Sequence, residues 1–294
     1  MVARRARALI AVLRGPLLLS PLADSLAGWT LARWAAQKQW SLHMPDLAIA
    51  GLAGCTLLAA GMAQNALADQ QDDRLRKPDR PLPRGDLSPA FVSACFCMLT
   101  LTALALAALR PALWPGVLVI IVLTAAYHYG LKAQRLLGCL ALGTLRATSM
   151  GLGVMAASGH WPEGAAAVGC AAYGLYITGA SLHASTDDES GPGPSSTLGL
   201  GLAQLVLAGL AGWLMTLQLE GPDWAGPLVL LWAMARLHMA SRSLPAPAVT
   251  GTALSGLHLL HGGLAAGLGQ PLVASGILAL FAVSRWLMRY FPPS

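Results

Sequence analysis

The chain has 294 residues, of which 55% are hydrophobic and only 11% are charged, and its formal net charge is +6. A soluble domain carries charge on roughly a quarter of its residues, so this composition excludes an ordinary water-soluble globule. The positive charge does not indicate a nucleic-acid partner, because the basic residues lie between apolar segments and not along one exposed face. The sequence therefore predicts an integral membrane protein.

The apolar segments predict membrane-spanning helices, since each runs for about 20 residues without strict alternation. Only Gly269 and Gln270 separate the last two segments. The expected fold is an all-α, polytopic transmembrane helix bundle of nine spans, or ten if these two segments are separate, in a single domain over residues 1–294. We expect spans at 8–34, 46–68, 89–109, 112–130, 135–158, 163–184, 197–218, 223–241, 249–268 and 270–290.

The basic residues indicate the orientation, because cytoplasmic loops of membrane proteins carry an excess of Lys and Arg. Of the 19 Lys and Arg residues, Arg33, Lys38 and Arg110 fall outside, Arg146 lies within a span, and the other 15 lie on the side of the N-terminus. We therefore expect a multi-pass protein of the inner (plasma) membrane with its N-terminus in the cytoplasm.

The strongest candidate site is a row of polar side chains at the end of the second predicted span. Asn65, Asp69 and Asp73 follow one another at four-residue steps, which places them on one face of a helix. Mg²⁺ takes oxygen ligands, typically one or two carboxylates together with substrate phosphates. The alternative is a solvated helix end whose carboxylates are neutralised by Arg74, Arg76 and Lys77.

Two stretches here together resemble the first signature of the UbiA superfamily of intramembrane prenyltransferases. They read Asn65-Ala-Leu-Ala-Asp69-Gln-Gln-Asp-Asp73 and Arg80-Pro-Leu-Pro-Arg-Gly85. The stretch Tyr127-His-Tyr-Gly-Leu-Lys132 resembles the Y-x-x-x-x-K element of the family. Asp187 and Asp188 stand where the second acidic motif belongs, although its D-x-x-x-D spacing is not kept. Within the superfamily, the sequence is similar to the bacterial branch of Ebo-type gene clusters.

The resemblance implies helices around a central cavity and an active site that faces the cytoplasm. It implies Mg²⁺-dependent transfer of a prenyl group from an isoprenyl diphosphate to a hydrophobic or aromatic acceptor among the membrane lipids. Asn65, Asp69 and Asp73 are expected to hold one Mg²⁺, and Asp187 and Asp188 a second. Lys132 and Arg80 are expected to bind the diphosphate, and Tyr127 to stabilise the allylic cation through its ring face.

Two charged residues lie deep within predicted spans, where each costs about 2.5–3.5 kcal/mol on insertion scales. Asp24 and Arg146 either form an ion pair, or Arg146 binds an acceptor carboxylate. Tyr173 and Tyr176 are further candidates for stabilising the cation. His258 and His261 share a helix face, but the sequence shows no carboxylate near them.

Three other functions compete with prenyl transfer. A CDP-alcohol phosphotransferase is excluded, since the chain lacks that family's D-G-x-x-A-R motif. A UbiA-type terpene cyclase would ionise the same donor without a second substrate. A non-catalytic isoprenoid or lipid carrier is favoured by the incomplete second acidic motif, in which Gly191 and Pro192 take the positions four residues after Asp187 and Asp188.

Overall fold

The computed structural model describes residues 2–36, 44–185 and 194–290, and every regular element in these ranges is a helix. Short 3₁₀ turns at Gly15–Leu19, Pro111–Leu113, Leu131–Ala133 and Gly221–Trp224 connect the α-helices. The α-helices are α1 (Val2–Val12), α2 (Ser20–Ala35), α3 (Met44–Ala68), α4 (Gln70–Arg76), α5 (Pro89–Leu109), α6 (Trp114–Tyr129), α7 (Arg135–Ser158), α8 (Gly164–Ala184), α9 (Pro194–Met215), α10 (Ala225–Ser243), α11 (Ala246–Gly267) and α12 (Pro271–Tyr290).

Within residues 2–36, 44–185 and 194–290, the bundle contains seven helices that are long and apolar enough to cross a membrane. The bent pair of helices at its start adds an eighth if the pair is one span. Helices α10 and α11 have 19 and 22 residues but are less apolar than those seven. The all-helical, multi-pass architecture is therefore confirmed, and the count of nine or ten spans stays a prediction.

The first predicted span is not one continuous helix. It breaks at Arg14 into α1 and a second part, Gly15–Ala35, at an angle of 56°. Pro16 and Pro21 follow the break, and because proline has no backbone N–H, neither can donate an i→i−4 bond to a continuous helix. Arg14 itself adopts a left-handed conformation, with φ 50° and ψ 52°. The break places its side chain at the edge of the bundle interior.

Helices α2, α7, α8 and α11 form the inner part of the bundle. Helix α2 packs against α3, α7, α8, α11 and α12, and α7 packs against α3, α6 and α8. Helices α5, α6 and α12 lie at the periphery, where Met98, Val122 and Leu272 are exposed. Exposed apolar side chains of this kind fit lipid contact. The inner helices carry the polar residues discussed below.

The contact between α2 and α7 depends on two glycines. A Cβ added to Gly28 would lie 2.0 Å from the Met150 carbonyl oxygen, and one added to Gly153 would lie 2.1 Å from the Ser25 carbonyl oxygen. Small residues at such crossings let two backbones approach closely in a membrane. The register of α2 on α7 follows from this packing.

We expect Gly28→Ala to destabilise the protein by about 1–3 kcal/mol, because the new methyl group must separate the two backbones. Thermal unfolding in detergent measures this change. Gly212→Ala is the matched control, since no atom lies within 4 Å of its added Cβ. Equal melting temperatures for the two variants would contradict the close packing.

Candidate functional site

The acidic row lies where α3 passes into α4. Helix α3 ends at Ala68, and Asp69 interrupts the helix with φ −85° and ψ 0° before α4 begins at Gln70. The Asp69 amide nevertheless donates to the Asn65 carbonyl at 2.9 Å, and the Asp73 amide donates to the Asp69 carbonyl at 2.8 Å. The helix is therefore interrupted, not continuous as predicted, but the four-residue spacing of the polar row is kept.

Two basic side chains form hydrogen bonds with these carboxylates. The Lys132 Nζ, on the 3₁₀ turn Leu131–Ala133, donates to the two oxygens of Asp69 at 2.8 and 2.6 Å and to Asn65 Oδ1 at 3.4 Å. The Arg80 Nη1 donates to both oxygens of Asp73 at 2.9 and 2.8 Å. We call these five residues the charged cluster: Asn65, Asp69, Asp73, Arg80 and Lys132.

The charged cluster joins two distant parts of the sequence, since Lys132 is 63 residues from Asp69. It is also graded in exposure, with the Asp73–Arg80 pair more deeply buried than the Asp69–Lys132 pair. Both signs of charge are thus available at one end of the bundle. Such an arrangement can bind an anion through its cations and a hard cation through its carboxylates.

Arg14 was missed as a site residue by the sequence analysis. Its guanidinium lies near enough to Asp69, Asp73 and Arg80 for their charges to act on it. It is also the one residue other than glycine with a positive φ in the described part of the chain. Backbone strain of this kind concentrates at functional sites. The available sequence signal was its position two residues before Pro16.

The loop between α4 and α5 is tied to α1. Leu82 and Leu87 are buried against Ala8 and Val12. Asp86 accepts hydrogen bonds from Arg84 and forms an ion pair with Arg4 at 2.6 Å, and its side chain is only 1% exposed. Bonding to Arg84, followed by the Arg4 contact, lowers the pKa of Asp86 below the ordinary 3.8.

This lowered pKa predicts acid sensitivity. The stability that ionised Asp86 contributes is present above its unfolded pKa of 3.8 and is lost as the pH falls through the lower folded pKa. We expect Asp86→Asn to melt at a lower temperature than wild type at neutral pH, and the difference to shrink between about pH 5 and about pH 2. Thermal unfolding across this range tests it. Asp79→Asn, at an exposed position of the same loop, is the control, and a difference that persists in acid would contradict the assignment.

The other predicted site residues lie in three places. Tyr127 is on α6, one turn before Lys132, and its ring contacts the His128 ring at 5.0 Å between centroids. Asp187 and Asp188 lie outside the described residues. Arg146 is not in the charged cluster, because it lies deeper, on the inner helices.

Arg146 forms the ion pair that the sequence suggested. Its Nη2 donates to Asp24 Oδ1 at 2.8 Å, and its Nε donates to the Tyr173 hydroxyl at 3.0 Å. The Tyr173 hydroxyl donates to Asp24 Oδ1 at 2.9 Å. The His261 Nδ1 is 3.7 Å from the same carboxylate. The expectation of no carboxylate near the histidine pair was therefore wrong, because Asp24 reaches it from another helix.

Tyr173 and Tyr176 do not present free ring faces. The Tyr173 ring packs on His261, with 4.4 Å between ring centroids, and the Tyr176 hydroxyl donates to the Ala253 carbonyl at 2.6 Å. Both side chains are fully buried in the core formed by α8 and its neighbours. They contribute to packing and to hydrogen bonding, and neither presents its ring face to an allylic cation.

The charged cluster has the chemistry that Mg²⁺ requires, because Asn65, Asp69 and Asp73 all offer oxygen ligands. Where the chain is described, no group of three or more His, Cys, Asp or Glu side chains is placed to hold a metal. A closed protein cage is therefore not formed. Mg²⁺ usually keeps several waters and binds through one or two carboxylates plus substrate phosphates, so the residues present fit this mode.

Comparisons with known proteins agree with this architecture. A model of the UbiA prenyltransferase family matches residues 25–244, which include the whole charged cluster. No curated protein matches the sequence. Among solved structures, one from a study of digeranylgeranylglyceryl phosphate synthase in membranes is similar, with a TM-score of 0.61 and 15% identity over 91% of this chain and 99% of that chain.

A UbiA homologue from Aeropyrum pernix K1, solved in its apo form, is also similar. The TM-score is 0.60 and the identity 21%, and the match covers 90% of this chain and 97% of that chain. At these identities the likeness shows the fold alone. The matched share of the chain is larger than residues 25–244, so the likeness of fold extends beyond the region of the family model.

Proposed function

The chain belongs to the UbiA prenyltransferase family, and from this premise we propose that it transfers a prenyl group from an isoprenyl diphosphate to a hydrophobic or aromatic acceptor within the membrane. The observation that carries the proposal is the charged cluster. Asn65, Asp69 and Asp73 lie where α3 passes into α4. Lys132 and Arg80 are within hydrogen-bond distance of the two carboxylates. A diphosphate ester needs this combination of fixed cations and metal-binding oxygens.

The proposed reaction breaks the bond between the allylic carbon and the diphosphate oxygen, and the diphosphate leaves with the electron pair. A bond then forms between that carbon and a nucleophilic atom of the acceptor, which releases a proton. Negative charge grows on the leaving group, so fixed cations beside it stabilise the transition state more than the ground state. Lys132, Arg80 and Arg14 have this role in the proposal.

In the proposal, Asn65, Asp69 and Asp73 hold Mg²⁺, and Asp187 and Asp188 hold a second ion. When bound, Mg²⁺ supplies further positive charge to the diphosphate. Tyr127 lies in the last turn of α6, five residues before Lys132, and in the proposal its ring face meets the allylic cation. The apolar interior excludes water from that cation.

We further propose that the charged cluster faces the cytoplasm across the inner membrane. Lys132, Arg80 and Arg14 share their side of the bundle with the excess of basic residues. At the opposite end, Arg110 pairs with Asp46 at 3.4 Å. The positive-inside rule assigns the more basic side to the cytoplasm.

Product analysis tests the proposal against its two alternatives. Purified protein in nanodiscs would receive geranyl, farnesyl or geranylgeranyl diphosphate with Mg²⁺ and an extract of membrane lipids as acceptors. Mass spectrometry of a prenylated acceptor is the expected result. A cyclised hydrocarbon formed without acceptor would support a terpene cyclase instead. Saturable binding without diphosphate release would support the carrier.

Arg14 gives a matched pair of variants. We expect Arg14→Gly and Arg14→Ala both to weaken donor binding by about 10-fold or more, because each removes a charge-assisted contact. The glycine variant should be the more stable by about 1 kcal/mol, since glycine adopts a positive φ without strain. Donor titrations and thermal unfolding measure the two effects. Unchanged donor affinity in both variants would remove Arg14 from the site.

A further inference from the structure

We propose that a second polar site, buried on the inner helices, takes the polar end of the acceptor, and that its charge balance selects an acceptor whose polar end is uncharged. This inference rests on the proposed function for the reaction, and it names the acceptor class. The site, which we call the buried cluster, consists of Asp24, Arg146, Tyr173, His258 and His261.

The buried cluster is a built site, because four inner helices contribute to it. Asp24 comes from α2, Arg146 from α7, Tyr173 from α8, and both histidines from α11. Arg146 donates hydrogen bonds to Asp24 and to the Tyr173 hydroxyl, and that hydroxyl donates to Asp24. Asp24, Arg146 and Tyr173 therefore hold a fixed geometry in the interior of the bundle, His261 packs on the Tyr173 ring, and His258 lies one helical turn before His261 on α11.

One edge of the buried cluster is open. The Arg146 side chain is 15% exposed, whereas the side chains of Asp24 and His261 are fully buried. Helix α7 packs against α2, α3, α6 and α8, and the residues in contact with Arg146 belong to α2 and α8. Arg146 therefore lies on the side of α7 that meets α2 and α8, and α7 has no packing contact with the peripheral helices α5 and α12 among the described residues.

The histidines provide hydrogen-bonding capacity that the protein itself does not use. Neither ring nitrogen of His258 or His261 has a hydrogen-bond partner, and both side chains are buried. A neutral imidazole offers one donor and one acceptor. A hydroxyl or a carboxamide can meet both, because each group donates and accepts. A carboxylate only accepts, so it meets half of that capacity.

The charge balance of the buried cluster discriminates more strongly between a carboxylate and an uncharged polar group than the hydrogen bonds do. The negative charge of Asp24 already neutralises Arg146 at 2.8 Å, and the two buried imidazoles, whose ring nitrogens make no hydrogen bond, remain neutral. The net charge of the buried cluster is therefore zero. A carboxylate placed there would be a buried charge without a counter-charge, which a low-dielectric interior disfavours. An uncharged polar group meets no such penalty.

The spacing along α7 suits an acceptor of small size. Gly138 lies at the level of Lys132, since a Cβ added to it would be 3.4 Å from the Lys132 Cα. Arg146 is eight residues further along the helix, about 12 Å deeper in the bundle. One aromatic ring with a polar substituent can place its nucleophilic end near the charged cluster and its other end at the buried cluster.

A pair of probes that differ only in charge tests the inference. The full chain in nanodiscs would be titrated with para-hydroxybenzamide and para-hydroxybenzoate, with binding followed by intrinsic tryptophan fluorescence. We expect the amide to bind at least about tenfold more tightly than the acid. In Asp24→Asn the cluster gains a net positive charge, so the acid should now bind at least as tightly as the amide. Asp46→Asn, which removes a carboxylate at the outer end of α3, should keep the wild-type preference.

The outcomes separate this inference from the proposed reaction. Equal or tighter binding of the acid by wild type, or no binding of either probe, would overturn the assignment. An unchanged preference in folded Asp24→Asn would overturn the charge argument. If that variant does not fold, the inference is decided by whether the wild-type protein binds the amide more tightly than the acid. Mg²⁺-dependent diphosphate release, assayed on the same protein preparations with an extract of membrane lipids as acceptors, reports on the reaction independently of either probe.

Discussion

Asp69→Asn is expected to lower Mg²⁺-dependent diphosphate release by about a hundredfold or more, the scale seen when one charge-stabilising group is removed from an active site. Asp69 has a central position in the charged cluster, since it accepts two of the three hydrogen bonds from Lys132 and follows Asn65 by one turn. The amide keeps the shape of the side chain but removes the negative charge. Steady-state release of diphosphate measures the effect.

Asp72→Asn is the matched control for this variant. Asp72 lies three residues away on α4, and its carboxylate is exposed and paired with Arg76 on the same short helix at 2.9 Å. An exposed pair of this kind contributes little to stability or to a neighbouring site. We expect near wild-type release. Equal losses in Asp69→Asn and Asp72→Asn would mean that the general acidity of α4, and not the charged cluster, supports the activity.

Asp24→Ala is expected to destabilise the protein by about 3–5 kcal/mol, because it leaves Arg146 as an unpaired charge in the interior. The same change removes the acceptor of the Tyr173 hydroxyl. Thermal unfolding in detergent gives the size of the loss. The double variant Asp24→Ala/Arg146→Met should recover part of the lost stability, since both buried charges are then removed.

The Asp46–Arg110 pair serves as the comparison. Its shortest N–O distance is 3.4 Å and both side chains are partly exposed, so Asp46→Ala should cost at most about 1 kcal/mol. A smaller loss for Asp24→Ala than for Asp46→Ala would contradict the assignment of Asp24 as a buried counter-charge. A double variant at positions 24 and 146 that is no more stable than Asp24→Ala would contradict the coupling between the two residues.

The helices were largely predictable because a helix that crosses the lipid bilayer needs about 20 predominantly apolar residues. The predicted spans 89–109 and 135–158 coincide with Pro89–Leu109 and Arg135–Ser158. The break at Arg14 was not predicted, because hydropathy does not report a single residue in the left-handed conformation, although Pro16 and Pro21 follow it in the sequence. The interruption at Asp69 was missed for a similar reason, since the i→i−4 bonds continue across it.

The site was predictable where it is local and unpredictable where it is assembled over long distances. The four-residue steps from Asn65 to Asp73 placed the polar row on one face from the sequence alone. The contact of His261 with Asp24 joins α11 to α2, and no pattern within either helix reports it. The full burial of Tyr173 and Tyr176 likewise depends on how α8 packs against its neighbours.

The most direct test of the proposed function is diphosphate release from an allylic isoprenyl diphosphate by the purified chain, in the presence of an extract of membrane lipids as acceptors, with and without Mg²⁺. We expect release that requires Mg²⁺ and is lost in Asp69→Asn but kept in Asp72→Asn. Release that is absent for every donor, or that is unaffected by Asp69→Asn, would contradict the assignment of the charged cluster as the catalytic site.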